Sequence, residues 1–148
     1  MHYTFDIEKG NFTNAGNASG SVKKTLKQLN VDPSSIKRIV VALYEAEINA
    51  VAHAYGGKID IDIDGDKIVM VVADQGPGIP NIELAMTEGY STASQKVREM
   101  GFGAGMGLPN MKKNTDKLDI QTELGVGTTI TMTVFLKNEE WLFGNHKL

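Results

Sequence analysis

Cysteine is absent from the 148-residue sequence. Its absence excludes disulfide bonds, thiolate metal sites and a cysteine nucleophile. Long apolar runs are absent as well, because no window approaches the roughly 18 apolar residues that a membrane helix needs. The opening stretch, MHYTFDIEKG, has neither a basic n-region nor an apolar h-region. We therefore expect no secretion signal, no membrane insertion and a cytoplasmic location.

Basic residues are in the minority. The 15 Lys and Arg residues against 18 Asp and Glu residues give a net charge of −3 and a pI near 5.6. Nucleic-acid binders usually carry a basic patch, so this balance argues against that class. A hydrophobic content of 41% and a charged content of 22% are ordinary for a globular protein. With no repeat and no linker in the sequence, we expect residues 1–148 to form a single domain.

The clearest helical pattern runs from Pro33 to Tyr55. Asp32 is placed to cap this helix, and Pro33 is tolerated in its first turn because the missing N–H has no intrahelical partner there. Gly56 and Gly57 follow the last periodic position, which is typical of a helix C-terminus. The sequence thus predicts one long helix with defined ends.

One face of this helix is polar. Glu45, Asn49 and His53 follow one another at intervals of four residues and drift by only about 80° around the axis. Such a face is either a solvated surface or one wall of a polar site, and a histidine there is more often structural than a ligand or base. Glu47 falls within the apolar arc, where an unpaired carboxylate is costly. That arc consists of Ile36, Ile39, Val40, Leu43 and Val51.

The stretch KIDIDIDGDKIVMVVAD predicts a β-hairpin with a tight primed turn at Asp64-Gly65 and a central return strand at 68–73. Aspartates at 60, 62 and 64 match the start of a calcium loop. The twelfth position of that loop, however, holds Val71 instead of glutamate. The alternation with isoleucine therefore indicates the wet face of a strand and not a calcium site.

The remaining patterns complete a two-layer arrangement. Strands are predicted at 3–8, 118–123 and 128–137, and helices at 18–30 and 108–114, with a glycine turn at 125–127. Together with the hairpin and the long helix, they predict an α/β (α+β) two-layer sandwich, a mostly antiparallel sheet with helices on one face.

Two glycine-rich segments can each be interpreted as purely structural or as part of a ligand site. Asp74-Gln-Gly76-Pro-Gly78-Ile79 follows an apolar strand and is either a plain turn or a loop whose backbone approaches a ligand closely. The run from Gly101 to Leu108 ends at the start of a predicted helix, where free N–H groups favour phosphate. It lacks both the dinucleotide-binding context and the GK[ST] ending of a Walker loop. Each segment is weak evidence by itself.

The order of these patterns carries more information than each pattern alone. Glu45-x-x-x-Asn49, Asp74-x-Gly76-x-Gly78, Gly103-x-Gly105-x-Gly107 and Gly127-Thr128-Thr129 resemble the motifs of the Bergerat-fold (GHKL) ATPases, which include gyrase, chaperone, histidine-kinase and mismatch-repair domains. Within them, EAEINAVAHAYGG and GMGLPNMKKNTD are similar to the bacterial anti-sigma-factor serine/threonine kinases. The resemblance covers about residues 20–137.

The resemblance implies a role for each matching residue. Asn49 would coordinate Mg²⁺, Glu45 would be the general base, and Asp74 would accept from the adenine amino group with Thr128 close by. Residues 87–107 would form a lid over ATP, in which Lys96 and Arg98 could reach the γ-phosphate. The implied nucleotide contacts are Asn49, His53, Asp74, Gly76, Gly78, Ile79, Gly103, Ala104, Gly105, Met106, Gly107, Leu108 and Thr128.

The function that the resemblance implies is ATP- and Mg²⁺-dependent phosphorylation of a small STAS-type regulator in a bacterial partner-switching circuit. One alternative is a nucleotide-gated module that holds a sigma factor without phosphotransfer. A detached histidine-kinase domain is a weaker alternative, because the sequence shows no dimerisation helix pair. Homodimerisation through the N-terminal strand is also expected. The tail at 138–148 holds the single tryptophan and is either packed on the body or free as an interaction segment.

Overall fold

The computed structural model describes residues 1–11, 13–53, 56–87 and 107–136, except for the side chain of His53. Within these ranges the chain forms five strands and four helices. In chain order they are β1 (His2–Ile7), α1 (Asn17–Gln28), α2 (Pro33–His53), β2 (Gly57–Ile63), β3 (Lys67–Gln75), α3 (Ile82–Ala85), α4 (Gly107–Lys113), β4 (Lys117–Glu123) and β5 (Gly127–Phe135).

The strands form one antiparallel sheet in the order β1-β2-β3-β5-β4. This arrangement confirms the predicted antiparallel sheet with packed helices, and it places β3 in the centre as predicted. Alternate residues of β5, from Thr128 to Val134, are buried, whereas those between them are partly exposed. The sheet therefore buries one face against the helices.

Helix α2 is the scaffold of the helical layer. It packs against α1, α4 and strands β1, β3 and β5. Its sheet-facing positions include Ile39, Leu43 and the small residues Ala42 and Ala46, all of which are fully buried. Small side chains at these positions let the helix axis approach the sheet closely, so the polar residues of α2 are held at a fixed place relative to β3 and β5.

The N-terminus of α2 is capped as predicted. The Asp32 carboxylate accepts from the Ser35 backbone N–H at 3.3 Å and from the Ser34 hydroxyl. The bond from Ser35 satisfies a backbone N–H that the first helical turn leaves without an intrahelical partner. Pro33 is the first helical residue, in agreement with the sequence prediction.

The hairpin turn between β2 and β3 differs from the prediction. A primed turn needs positive φ in the turn, and no residue of 64–66 has it. Instead, Asp64 Oδ1 accepts from the backbone N–H groups of Asp66 and Lys67 at 2.8 and 2.9 Å. The carboxylate closes the turn with ordinary backbone angles, so the prediction of a primed turn is wrong.

No helix in the described part of the chain combines the length and the apolarity that crossing a bilayer requires. Most of the predicted lid and the whole tail at 138–148 lie outside the described residues.

Candidate functional site

Glu45, a residue of α2, lies beside the start of α4. Its Oε1 accepts from the Asn110 side-chain amide at 3.1 Å, and a Cβ built on Gly107 would be 3.7 Å from its Oε2. Glu45 and Asn110 are 65 positions apart in the chain. The carboxylate of α2 is thus held beside the first residue of the helix that follows the glycine-rich run.

Glu47, two residues further along, has a different role. It is only 5% exposed. Its Oε2 accepts from the N–H groups of Gly16 and Ala18 at 3.0 and 3.2 Å, and its Oε1 accepts from Ser19 at 3.2 Å. Both oxygens therefore cap the N-terminus of α1, whose own N-cap residue has no side-chain acceptor. This cap accounts for a carboxylate in the apolar arc and leaves Glu45 as the carboxylate of α2 that faces α4.

Asn49 follows Glu45 by one turn of α2 and is half-buried. Its carboxamide therefore lies on the same side of the helix as Glu45. His53 is the last residue of α2, and its side chain lies outside the described part of the structure. The α2 face thus presents one carboxylate and one amide whose positions the structure describes.

Asp74 lies near the end of the central strand β3, directly opposite Thr128 of β5. Its Oδ1 accepts from the Thr128 backbone N–H at 3.1 Å. Burial raises the pKa of the Asp74 carboxyl, and the bond from Thr128 partly opposes that rise. Oδ2 forms no hydrogen bond with the described residues.

Two threonines, Thr128 and Thr122, link Asp74 to the loop 76–79 that follows β3. Thr128 Oγ1 lies 3.0 Å from Thr122 Oγ1, and Thr122 Oγ1 accepts from the Ile79 backbone N–H at 2.8 Å. Thr122 was not predicted from the sequence. Its position opposite Thr128 on β4 is the only signal that could have found it, and that signal requires the strand register.

Glycine is required where the loop 76–79 meets the β4–β5 turn. Gly78 has φ +79°, and a Cβ there would lie 2.8 Å from the Glu123 carbonyl oxygen. A Cβ on Gly127 would lie 2.0 Å from the Asp74 carbonyl oxygen. Two further bonds, from Gly76 N–H to Val126 O (3.3 Å) and from Gly125 N–H to Pro77 O (3.0 Å), close the loop. The glycines of the predicted motif thus allow two backbones to approach closely beside Asp74.

The predicted phosphate loop is described only at its end. Gly103, Ala104, Gly105 and Met106 lie outside the described residues, as do Lys96 and Arg98. Gly107 opens α4, and the next residue, Leu108, is 7% exposed. The Leu108 side chain therefore belongs to the core, and only its backbone is suited to contact a phosphate.

The donor groups fit magnesium held through a nucleotide. The described residues contain no group of three or more His, Cys, Asp or Glu side chains able to hold a metal ion. Mg²⁺ in nucleotide sites usually takes one or two protein oxygens and completes its shell with phosphates and water. The Asn49 carboxamide on α2 suits such a sparse protein contribution.

The predicted residues therefore form two groups. Asp74, Gly78, Ile79 and Thr128 share one hydrogen-bonded cluster at the β3–β5 end of the sheet. Glu45 and Gly107 meet beside Asn110, with Asn49 one turn along α2. Because α2 packs on β3 and β5, both groups belong to the same packed body.

Comparison with known proteins gives the arrangement a context. The family model described as "Histidine kinase-like ATPase domain" matches residues 11–134. The anti-sigma F factor of Thermoanaerobacter sp. (strain X514) is 32% identical, over 95% of this chain and 100% of the relative. The serine/threonine-protein kinase RsbT of Bacillus subtilis (strain 168) is 30% identical, over 78% of this chain and 84% of the relative.

A solved structure shares the fold. The crystal structure of the RsbU and RsbW domains of Rv1364c from Mycobacterium tuberculosis superposes with a TM-score of 0.60 at 19% identity, over 91% of this chain and 33% of that chain. This likeness shows that the antiparallel sheet and its helices follow a known architecture.

Proposed function

The chain belongs to the histidine kinase-like ATPase domain family, and from that membership we propose that it is an ATP- and Mg²⁺-dependent serine/threonine protein kinase of the anti-sigma-factor type. Its substrate would be a small STAS-type regulatory protein in a bacterial partner-switching circuit. The names of its relatives, an anti-sigma F factor and a serine/threonine-protein kinase, support this assignment. The individual roles follow from the chemistry of each group.

Adenine recognition is assigned to the cluster at the end of β3. Asp74 Oδ1 is already engaged by Thr128, so Oδ2 accepts from the adenine amino group. The Thr128–Thr122 hydroxyl pair lies beside it and contributes through water. Gly76, Gly78 and Ile79 are assigned to line the base through their backbone, in a loop whose position is fixed by the close approach of Gly78 to the β4–β5 turn.

The phosphates and the metal are assigned to the α2 and α4 side. Asn49 would hold Mg²⁺, which offsets the charge of the triphosphate when bound. The free N–H groups around Gly107 and Leu108 face the phosphates, since α4 begins there. We also assign Gly103, Ala104, Gly105 and Met106, which lie outside the described residues, to the phosphate loop, and His53 to the nucleotide contacts.

Glu45 is assigned as the general base. It takes the proton of a substrate serine as the serine oxygen bonds to the γ-phosphorus and the bond to the β–γ bridging oxygen breaks, releasing ADP. The observation that supports this role is that the two carboxylates of α2 have different partners. Both Glu47 oxygens are used by α1, whereas Glu45 Oε2 forms no hydrogen bond with the described residues.

The direct test is phosphate transfer from γ-labelled ATP to candidate STAS partners. Replacing Glu45 by glutamine removes the base while keeping the bond from Asn110, so we expect transfer to fall roughly 10²–10⁴-fold with ATP affinity preserved. Glu8→Gln, an exposed carboxylate just after β1, is the matched control and should transfer normally. Unchanged transfer by Glu45→Gln would remove the base assignment.

A second candidate is a nucleotide-gated module that holds a sigma factor without phosphotransfer. The name of one relative, the anti-sigma F factor, supports it, because that name states action against a sigma factor and mentions no phosphotransfer. Partner binding that depends on nucleotide, with no phosphoprotein formed, would select this alternative. In either case β1, the outer strand of the sheet, offers an edge to a second copy of the chain.

A further inference from the structure

A groove of about 390 Å³ lies between α1 and α2, in a part of the fold that the proposed nucleotide site does not use. Its floor is apolar and is formed by Val31, Pro33, Ile36, Val40 and Val41. The floor lies at the C-terminal end of α1 and the N-terminal end of α2. Neither Glu45 nor Asp74 lines it.

Three lysines surround this floor: Lys23 and Lys27 on α1 and Lys37 on α2. All three are exposed, and none forms an ion pair with the described residues. No acidic side chain lines the groove, although the whole chain has a net charge of −3. Uncompensated cations around an apolar floor are complementary to carboxylates next to large apolar side chains.

The chain itself contains such a segment after β5. Residues 137–148 lie outside the described part of the structure, and their sequence is KNEEWLFGNHKL. Glu139 and Glu140 are followed at once by Trp141, Leu142 and Phe143. Two carboxylates therefore adjoin three large apolar side chains in the sequence. This combination is complementary to the lysines and the apolar floor of the groove.

The point where β5 ends brings this segment close to the groove. The Phe135 backbone N–H donates to Asp116 Oδ2 at 2.8 Å, and Asp116 Oδ1 lies 3.1 Å from Arg38 Nη2. Arg38 directly follows Lys37 in the first turns of α2. An extended chain covers about 17 Å between Leu136 and Trp141, more than the roughly 10 Å of surface that separates two successive residues, about 100° apart, on a helix about 10–12 Å wide. The chain after β5 is therefore long enough to pass from the Arg38 side of α2 to the Lys37 side.

We propose that the segment 139–143 docks in the groove between α1 and α2, with its two glutamates toward the lysine rim and its Trp-Leu-Phe side chains on the apolar floor. Covalent attachment gives the segment an effective concentration of about millimolar, so even weak contacts suffice. The docked segment would join α1 to α2. The proposal does not depend on the proposed kinase activity.

Trp141 is the single tryptophan of the chain, so its fluorescence reports on the segment alone. In the full chain we expect short-wavelength emission and protection from acrylamide quenching. The double variant Lys23→Glu/Lys37→Glu should shift the emission to longer wavelength and raise the quenching constant toward that of free tryptophan. Adding Glu139→Lys/Glu140→Lys to that variant should restore the protection.

The matched control is Lys24→Glu, which changes the charge of an exposed residue of α1 that does not line the groove. It should leave Trp141 protected, and circular dichroism should show that every variant is folded. The proposal would be overturned if Trp141 were exposed in the wild-type chain. It would also be overturned if Trp141 stayed protected in the Lys23→Glu/Lys37→Glu variant. Protection that is lost on dilution would overturn it as well, since it would indicate the tail of a second copy.

Discussion

The carboxylates at positions 45 and 47 show how position alone assigns chemistry at the scale of the residue. Two residues of helix correspond to roughly 200° of rotation, so the two side chains point in nearly opposite directions. One accepts from Asn110 on α4, and the other caps α1 with three N–H bonds. Both oxygens of Glu47 are thus used in capping α1, whereas only one oxygen of Glu45 is bonded to a described residue.

These different roles predict that only one of the two glutamine variants loses stability. Glu47→Gln places an amide NH₂ among backbone donors in a buried position, so we expect the free energy of unfolding to fall by roughly 1–3 kcal/mol. Glu45→Gln keeps an acceptor for Asn110 and should stay close to wild type. Urea denaturation of both variants measures the difference. Equal stability of the two proteins would contradict the capping role of Glu47.

The proposed adenine contact of Asp74 can be tested by removing its carboxylate. Asp74→Asn replaces an acceptor by a donor opposite the adenine amino group, so ATP affinity should fall by roughly ten- to a hundredfold. The exposed Asp119→Asn on β4 is the control and should bind normally. Calorimetric titration gives both affinities. An Asp74→Asn protein that binds ATP like wild type would place adenine elsewhere.

The raised pKa of Asp74 gives the same variant a pH signature in the absence of nucleotide. Because burial raises the native pKa above the ordinary 3.8, the native state binds this proton more tightly than the unfolded chain. The contribution of Asp74 to stability is therefore present at low pH and is lost as pH rises from 3.8 through the native pKa. Across that interval, Asp74→Asn should gain stability relative to wild type.

At the scale of the element, the loop 76–79 and the β4–β5 turn are a pair of backbones held in contact by glycine. The loop approaches Glu123 and Leu124, and it bonds to Thr122 and Val126. Its position sets where Ile79 and the end of β3 lie. The proposed base pocket would thus depend on backbone packing more than on side chains.

Gly78→Ala tests that dependence. The new Cβ would meet the Glu123 carbonyl at 2.8 Å, and alanine is strained at φ +79°. We expect a loss of roughly 1–3 kcal/mol in stability together with weaker ATP binding. Gly65→Ala in the β2–β3 turn, where a Cβ meets nothing within 4 Å, is the matched control for thermal unfolding and ATP affinity. Equal behaviour of the two variants would refute the close-approach argument.

Local patterns predicted the elements well, and contacts between distant segments account for what was missed. The cap at Asp32 and the central strand β3 followed from periodicity and from residue types within a few positions. The partners of Glu47 and Glu45, and the Ile79 N–H that donates to Thr122, lie 28 or more positions away in the chain, as the spacings of 28, 65 and 43 show. Such contacts exist only once the sheet register and the packing of α2 are known.

At the scale of the whole molecule, the account requires that the β3 cluster and the α2–α4 face serve one ligand. Asn49 and Asp74 lie on different elements, joined by the packing of α2 on β3 and β5. Adenine would be held by one group, and the metal-bound phosphates by the other. Binding of the intact nucleotide is therefore the property that neither group can supply alone.

Calorimetric titration of ATP with and without Mg²⁺, for wild type and Asn49→Ala, tests this claim most directly. We predict that wild type binds ATP more tightly when Mg²⁺ is present, and that Asn49→Ala keeps the Mg²⁺-free affinity but loses most of the gain. A wild-type protein that does not bind ATP, or an Asn49→Ala protein with the full Mg²⁺ effect, would contradict the account.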